Sequence, residues 1–124
     1  MYDGDGGKFW RETKRRARKD HRCTECRRRI QSGEEYWSSF GVHEYGGAYT
    51  GKTCAHCHVA QEWLMKQCDG FIYEMVREDI EEHVLEFGLV STYSLARLAV
   101  GMRRRWTRRD GTLMEIPEVP PLAA

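Results

Sequence analysis

The sequence predicts an α+β domain organised around a bound metal ion, and three observations carry that prediction. Four of the five cysteines stand as two Cys-x2-Cys pairs, Cys23/Cys26 and Cys54/Cys57, a spacing that lets two thiolates of one tight turn reach the same ion. Between the pairs the residues favour strands, and beyond Cys57 the apolar period changes to about 3.6, as in helices. The 124 residues, 40% apolar and 31% charged with a mean hydropathy of -0.71, suffice for one domain and are too polar for a membrane span.

Each element follows from local signals. Asp3-Gly4-Asp5-Gly6-Gly7 is a run of turn-prone residues and reads as a flexible leader. The basic run Lys14 to Lys19 reads as a short helix or an unfolded arm, so residues 1–20 are expected to form a disordered basic arm. Ile30 to Glu34, with Gly33, offers a turn, and Tyr36 to His43 is rich in the aromatic and β-branched residues of a strand. Gly46-Gly47 supplies the next turn, and Tyr49-Thr50 opens a returning strand that ends at Cys54. Ala60, Trp63, Leu64 and Cys68 then share one face of a helix of about three turns, which Asp69-Gly70 breaks. That phase places Cys68 as a buried thiol. A second helix carries Ile72, Met75, Val76, Ile80, Val84 and Phe87 on one stripe, with Glu74, Glu78, Glu81 and Glu82 mainly off it, and Gly88 stops it. Ser91 or Ser94 caps a third helix, whose stripe is Leu95, Leu98, Ala99, Met102 and Trp106. Asp110-Gly111 closes it, and Pro117, Pro120 and Pro121 keep the tail extended.

Cys23, Cys26, Cys54 and Cys57 together satisfy the tetrahedral, soft-ligand preference of zinc. The 27 residues between Cys26 and Cys54 allow a β-hairpin that returns the second pair to the first. The second pair opens a helix, where the dipole and free N–H groups favour thiolates. Zinc on four thiolates is a net anion, and Arg22, Arg27, Arg28 and Arg29 flank the first pair. A redox dithiol needs a βαβ context that is missing, and iron knuckles usually carry glycine where Arg27 and His58 stand. His21, His56 and His58 are expected to support the shell or lie at the surface, because four cysteines already fill it. Four protein ligands leave no open position, so one structural Zn2+ is expected.

The run Cys23-Thr24-Glu25-Cys26-Arg27-Arg28-Arg29-Ile30-Gln31-Ser32-Gly33 resembles the Cys-x2-Cys-x3-Ile-x2-Gly opening of treble-clef zinc fingers, including LIM-type ones. The resemblance covers residues 21–68. It implies a cysteine knuckle, a β-hairpin and a helix sharing one ion; LIM modules pair two fingers, and here there is one, so LIM-type partner binding is not implied. The segment Met102 to Met114 is similar to small uncharacterised proteins of bacteriophages and prophages, which implies a host-cell setting. The expected organisation is therefore a basic arm at 1–20, a treble-clef finger at 21–68, a helical extension at 69–110 and an extended Pro-containing tail at 111–124.

Treble clefs also form the core of HNH-type nucleases, but this chain contains no asparagine, and His21, His43 and Glu44 do not reproduce that spacing. The zinc-deaminase signature, phosphate loops and nucleophile elbows are missing as well. Glu34 and Glu35 are strand neighbours and face opposite sides. The reading is non-enzymatic, with a nuclease kept as an outlying alternative.

Twenty Lys and Arg against nineteen Asp and Glu leave a formal charge of +1, which by itself speaks against bulk electrostatic binding of nucleic acid. The balance averages over opposed regions: residues 1–30 sum to +6, 31–89 to -8 and 90–124 to +3. Two basic clusters result. The expected function is nucleic-acid binding with phosphate contacts from Arg15, Arg16, Arg18, Arg103, Arg104 and Arg105. The alternative is a protein-interaction module whose acidic helical face, Glu74 to Glu86, meets a host protein complex. Ile80 to Arg97 also admits a helix-turn-helix, although an αα-hairpin is the simpler account. Neither a membrane nor a small-molecule substrate is expected as partner. Met1 to Trp10 lacks the apolar core of a signal peptide, so a reducing cytoplasm is the expected compartment.

Overall fold

The computed structural model describes residues 9–42, 46–88 and 92–122. In chain order these form strands β1 (Phe9–Arg16), β2 (His21–Arg22), β3 (Arg29–Ile30), β4 (Glu35–Val42) and β5 (Ala48–Cys54), then helices α1 (Ala55–Cys68), α2 (Val76–Phe87) and α3 (Tyr93–Arg103). The architecture is α+β. An antiparallel sheet runs β1-β4-β5, and β2 pairs with β3 in a separate small ribbon.

Strand β4 is central because its neighbours pair along nearly its whole length, from Phe9↔Val42 to Arg16↔Glu35 on one side and from Tyr36↔Cys54 to Val42↔Ala48 on the other. The disordered arm expected over residues 1–20 is thereby corrected for its described part. Residues 9–16 are a strand, because β4 satisfies their backbone groups and Glu35 neutralises Lys14 and Arg16 at 3.4 Å each. Trp10 also anchors the strand, its Nε1–H donating to the Tyr73 hydroxyl at 2.7 Å. The Asp3–Gly7 leader, His43, Glu44 and Ser91 lie outside the described residues.

One face of the sheet is covered. Trp37 stacks on His58 of α1 at 4.0 Å, and Tyr49 packs on Tyr73 at 4.6 Å. The apolar core lies beyond that face, where Val59, Ala60, Trp63 and Leu64 of α1 meet Val76 and Ile80 of α2 and Leu95, Leu98, Ala99 and Met102 of α3. α2 and α3 pack against each other as an αα-hairpin; residues 89–91 between them lie outside the described residues.

Three details depart from the expected elements. α2 begins at Val76 rather than Ile72, because Phe71 and Tyr73 join the aromatic cluster beneath the sheet and Glu74 takes a left-handed φ of 74°. Ile72 is exposed as a result. Cys68 is exposed rather than buried: it is the last residue of α1, Asp69 turns left-handed after it, and its thiol lies 3.2 Å from His83 Nε2. Trp106 is buried as expected, but not as part of the helix stripe. α3 ends at Arg103, and Arg105 and Trp106 take left-handed φ values of 53° and 56°. The ring thereby folds back against Gly101, where any Cβ would lie 2.2 Å from it.

Candidate metal centre

The four paired cysteines are buried together, their sulfurs all within 4.8 Å of one another. A tetrahedron of Zn–S bonds of about 2.3 Å puts sulfurs about 3.8 Å apart, and Cys26 Sγ and Cys54 Sγ stand 4.0 Å apart. Cys23 and Cys26 lie on the turn between β2 and β3, which Arg27 closes at a left-handed φ of 68°. Its N–H donates to the Cys23 carbonyl at 3.0 Å. Cys54 ends β5 and also caps α1, accepting the Cys57 N–H on Sγ at 3.4 Å. One residue is thus placed both as a ligand and as the start of a helix.

The surroundings favour a cation inside the cluster. Hydrogen bonding within the set holds the Cys23 thiol well below its ordinary range and pushes Cys54 up, while burial pushes Cys57 up. Four thiolates in this buried space would repel one another, and a divalent ion bound among them would remove that repulsion. Sulfur lone pairs receive further donors: Cys54 N–H reaches Cys23 Sγ at 3.4 Å, and Trp106 Nε1–H reaches Cys57 Sγ at 3.2 Å. The donor set and spacing fit a single metal ion.

The flanking residues separate into distinct roles. Arg28 is buried and pairs through both terminal nitrogens with Glu34, at 3.0 and 2.9 Å. Arg22 donates to the Arg27 carbonyl, while Arg27 and Arg29 make exposed ion pairs with Glu74 and Asp20. His56 is buried, with Nε2 at 2.6 Å from the Met114 carbonyl, and His58 pairs with Glu12 at 3.1 Å. His21 packs at a tilt on Tyr36, with ring centroids 5.1 Å apart. Two polar residues escaped the sequence reading: Glu25, whose carboxyl burial pushes up to about 7, and Gln61, which donates to it at 3.1 Å. Their Cys-x2-Cys and helical surroundings hold no signal for a polar contact between a half-buried Glu25 and a buried Gln61.

The six arginines expected to contact phosphate differ in their partners. Arg16 donates to the Gly33 carbonyl at 2.7 Å and pairs with Glu35. Arg103 is bound to Glu81 of α2 at 3.1 Å. Arg15, Arg18, Arg104 and Arg105 are exposed, with no carboxylate partner among the described residues. Arg104 also lines a groove of about 530 Å³ beside α3, together with Arg97, Arg108 and Arg109 around Tyr93, Val100 and Met114. No carboxylate lines this groove.

No family model, curated protein or solved structure matches the chain. Its class rests on its own geometry: a small α+β protein with a buried four-cysteine site suited to one metal ion. Among the described residues no helix is long and apolar enough to cross a membrane.

Proposed function

We propose that the protein is a zinc-stabilised, non-enzymatic nucleic-acid-binding protein. Zinc is the metal that four buried cysteines at this spacing suit best, and the order knuckle, hairpin, helix supports a treble-clef description of residues 21–68. Four protein thiolates leave no position for substrate, so the ion serves folding.

The observation that carries nucleic-acid binding is the groove beside α3. Four arginines, Arg97, Arg104, Arg108 and Arg109, line it and no carboxylate does, although the chain as a whole is nearly neutral. Arg108 is held in place by donating to Thr112 Oγ1 at 3.3 Å and to the Leu113 carbonyl at 2.7 Å, and a lining of cations without carboxylates is electrostatically ready for phosphate. The experiment is a salt titration of binding to duplex and single-stranded DNA by the zinc-loaded protein, with metal content measured in parallel. The expected result is one zinc per chain and binding that weakens steeply with salt. Replacing Arg104 and Arg108 by Gln should lower the log–log slope by about 2 for duplex DNA. No binding at low salt overturns the proposal.

One observation favours the second reading, a protein-interaction module. On α2, Leu85 is 83% exposed and stands beside exposed Glu82 and Glu86. An apolar side chain within an acidic face suits a basic protein partner. Capture of a host complex that Leu85→Ala abolishes, together with no nucleic-acid binding, would establish this reading instead.

A further inference from the structure

The sheet has a second face, and its composition differs from that of the rest of the molecule. Strand pairing places Phe9, Arg11, Thr13 and Arg15 of β1, Tyr36, Ser38, Phe40 and Val42 of β4, and Ala48, Thr50, Lys52 and Cys54 of β5 on one side, which is covered at the Tyr36 and Cys54 end, where both are buried, and open over the rest. No carboxylate occurs among them. The opposite side carries Glu12 and Glu35 and lies against α1 and Tyr73. Phe9 is 47% exposed and Val42 36%, both high for apolar residues on a three-stranded sheet. The Phe9 and Phe40 rings stand 6.2 Å apart, and the Arg11 guanidinium lies 5.9 Å from the Phe9 centroid.

We infer that this open face is a stacking platform for single-stranded nucleic acid, a statement that rests on the proposed nucleic-acid binding and narrows its substrate class. Cations stand on both outer strands, Arg11 and Arg15 on β1 and Lys52 on β5, with Phe40 on the strand between them. A single strand crossing the sheet meets rings with its bases and cations with its phosphates. Same-face residues along a strand are about 7 Å apart, which leaves room for a base at each step. Duplex bases already stack on one another and cannot offer their faces to the rings. Unpaired bases can use the rings, and aromatic stacking is tolerant of sequence. Thr13, Ser38 and Thr50 break up the apolar surface with hydroxyl groups, which suits a polar ligand better than an apolar protein interface.

The test uses the full zinc-loaded chain, a labelled oligothymidylate and a hairpin duplex of equal charge, read by fluorescence anisotropy. The single strand is expected to bind at least tenfold more tightly. Phe9→Leu with Phe40→Leu keeps apolar bulk but removes the stacking faces, and should weaken single-strand binding about tenfold while leaving the duplex unchanged. Arg11→Gln with Arg15→Gln, both exposed positions, should reduce the single-strand salt slope by about 1.4. Equal affinity for both probes, or single-strand binding unmoved by either pair of variants, overturns the platform. If binding persists but is lost only in the Arg104 and Arg108 variants, nucleic-acid binding stands and the sheet assignment fails. No binding of either probe defeats both statements. Displacement of the oligothymidylate by polyglutamate of equal charge, at equal concentration, shows a face that reads charge alone and also overturns the platform.

Discussion

Arg28 shows how one residue of a basic run can differ from its neighbours. Its neighbours Arg27 and Arg29 make exposed ion pairs, whereas Arg28 is 9% exposed and bound bidentately by Glu34. Burial alone would raise the Glu34 carboxyl, but Arg28 and the Gln31 N–H outweigh it and hold it below its ordinary value. A carboxyl lowered by folding stabilises the fold above its ordinary pKa, about 4.3, and that contribution is lost as pH falls through the lowered folded value. Glu34→Gln should therefore cost about 1–3 kcal/mol at neutral pH, and the gap from the parent should close on the acid side. Chemical denaturation at pH 7 and along the acid limb checks both parts; equal stability at pH 7 would show that the pair adds nothing. From sequence, Arg28 is indistinguishable from Arg27 and Arg29, since only the three-dimensional turn decides which arginine points inward.

At the scale of elements, the end of α3 is the feature most exposed to a single change. Gly101 admits the Trp106 ring, and that ring delivers its N–H to Cys57. Alanine favours helix over glycine by about 1 kcal/mol, yet its Cβ would meet the ring at 2.2 Å. Overpacking of that kind costs about 1–3 kcal/mol, so Gly101→Ala should destabilise the protein and weaken the affinity of the four-cysteine site for a metal ion. Denaturation and chelator competition measure the two effects; a stabilised variant with unchanged metal affinity would contradict the packing argument. The helix stripe correctly marked Trp106 as core, and the left-handed turn that puts it there has no glycine to announce it. For β1 no period-2 signal was present: Phe9 and Trp10 are adjacent aromatics, and Arg11 to Arg16 are polar at every position. A dense run of cations looks like a solvated arm until a partner strand is known.

For the whole molecule, the metal centre joins parts distant in sequence. Trp106 bonds to Cys57, His56 to the Met114 carbonyl, and Trp63 Nε1–H to the Pro121 carbonyl at 3.1 Å. Structural zinc contributes about 10–16 kcal/mol in finger peptides, against a net stability of about 5–15 kcal/mol for ordinary domains. Removal of the ion by a strong chelator should therefore unfold the helical half along with the cysteine half. Circular dichroism and tryptophan emission should change in one step, with Trp106 becoming exposed. Retention of the helical signal with Trp106 still buried would show that the helices stand alone.

Covalent spacing and local periodicity determined the four-cysteine site, the hairpin between its pairs, the stop after α1 and the α+β class, because each depends on residues near one another in the chain. Tertiary structure alone decided the rest. It drew Arg16 and Arg103 into internal ion pairs, left Arg15 and Arg104 free of carboxylates among the described residues, and turned an apparent basic arm into the edge of a sheet with one acid-free face. The physical reason is that a side chain's charge is local while its partner is not: pairing, burial and exposure are fixed only when strands and helices from different parts of the sequence meet.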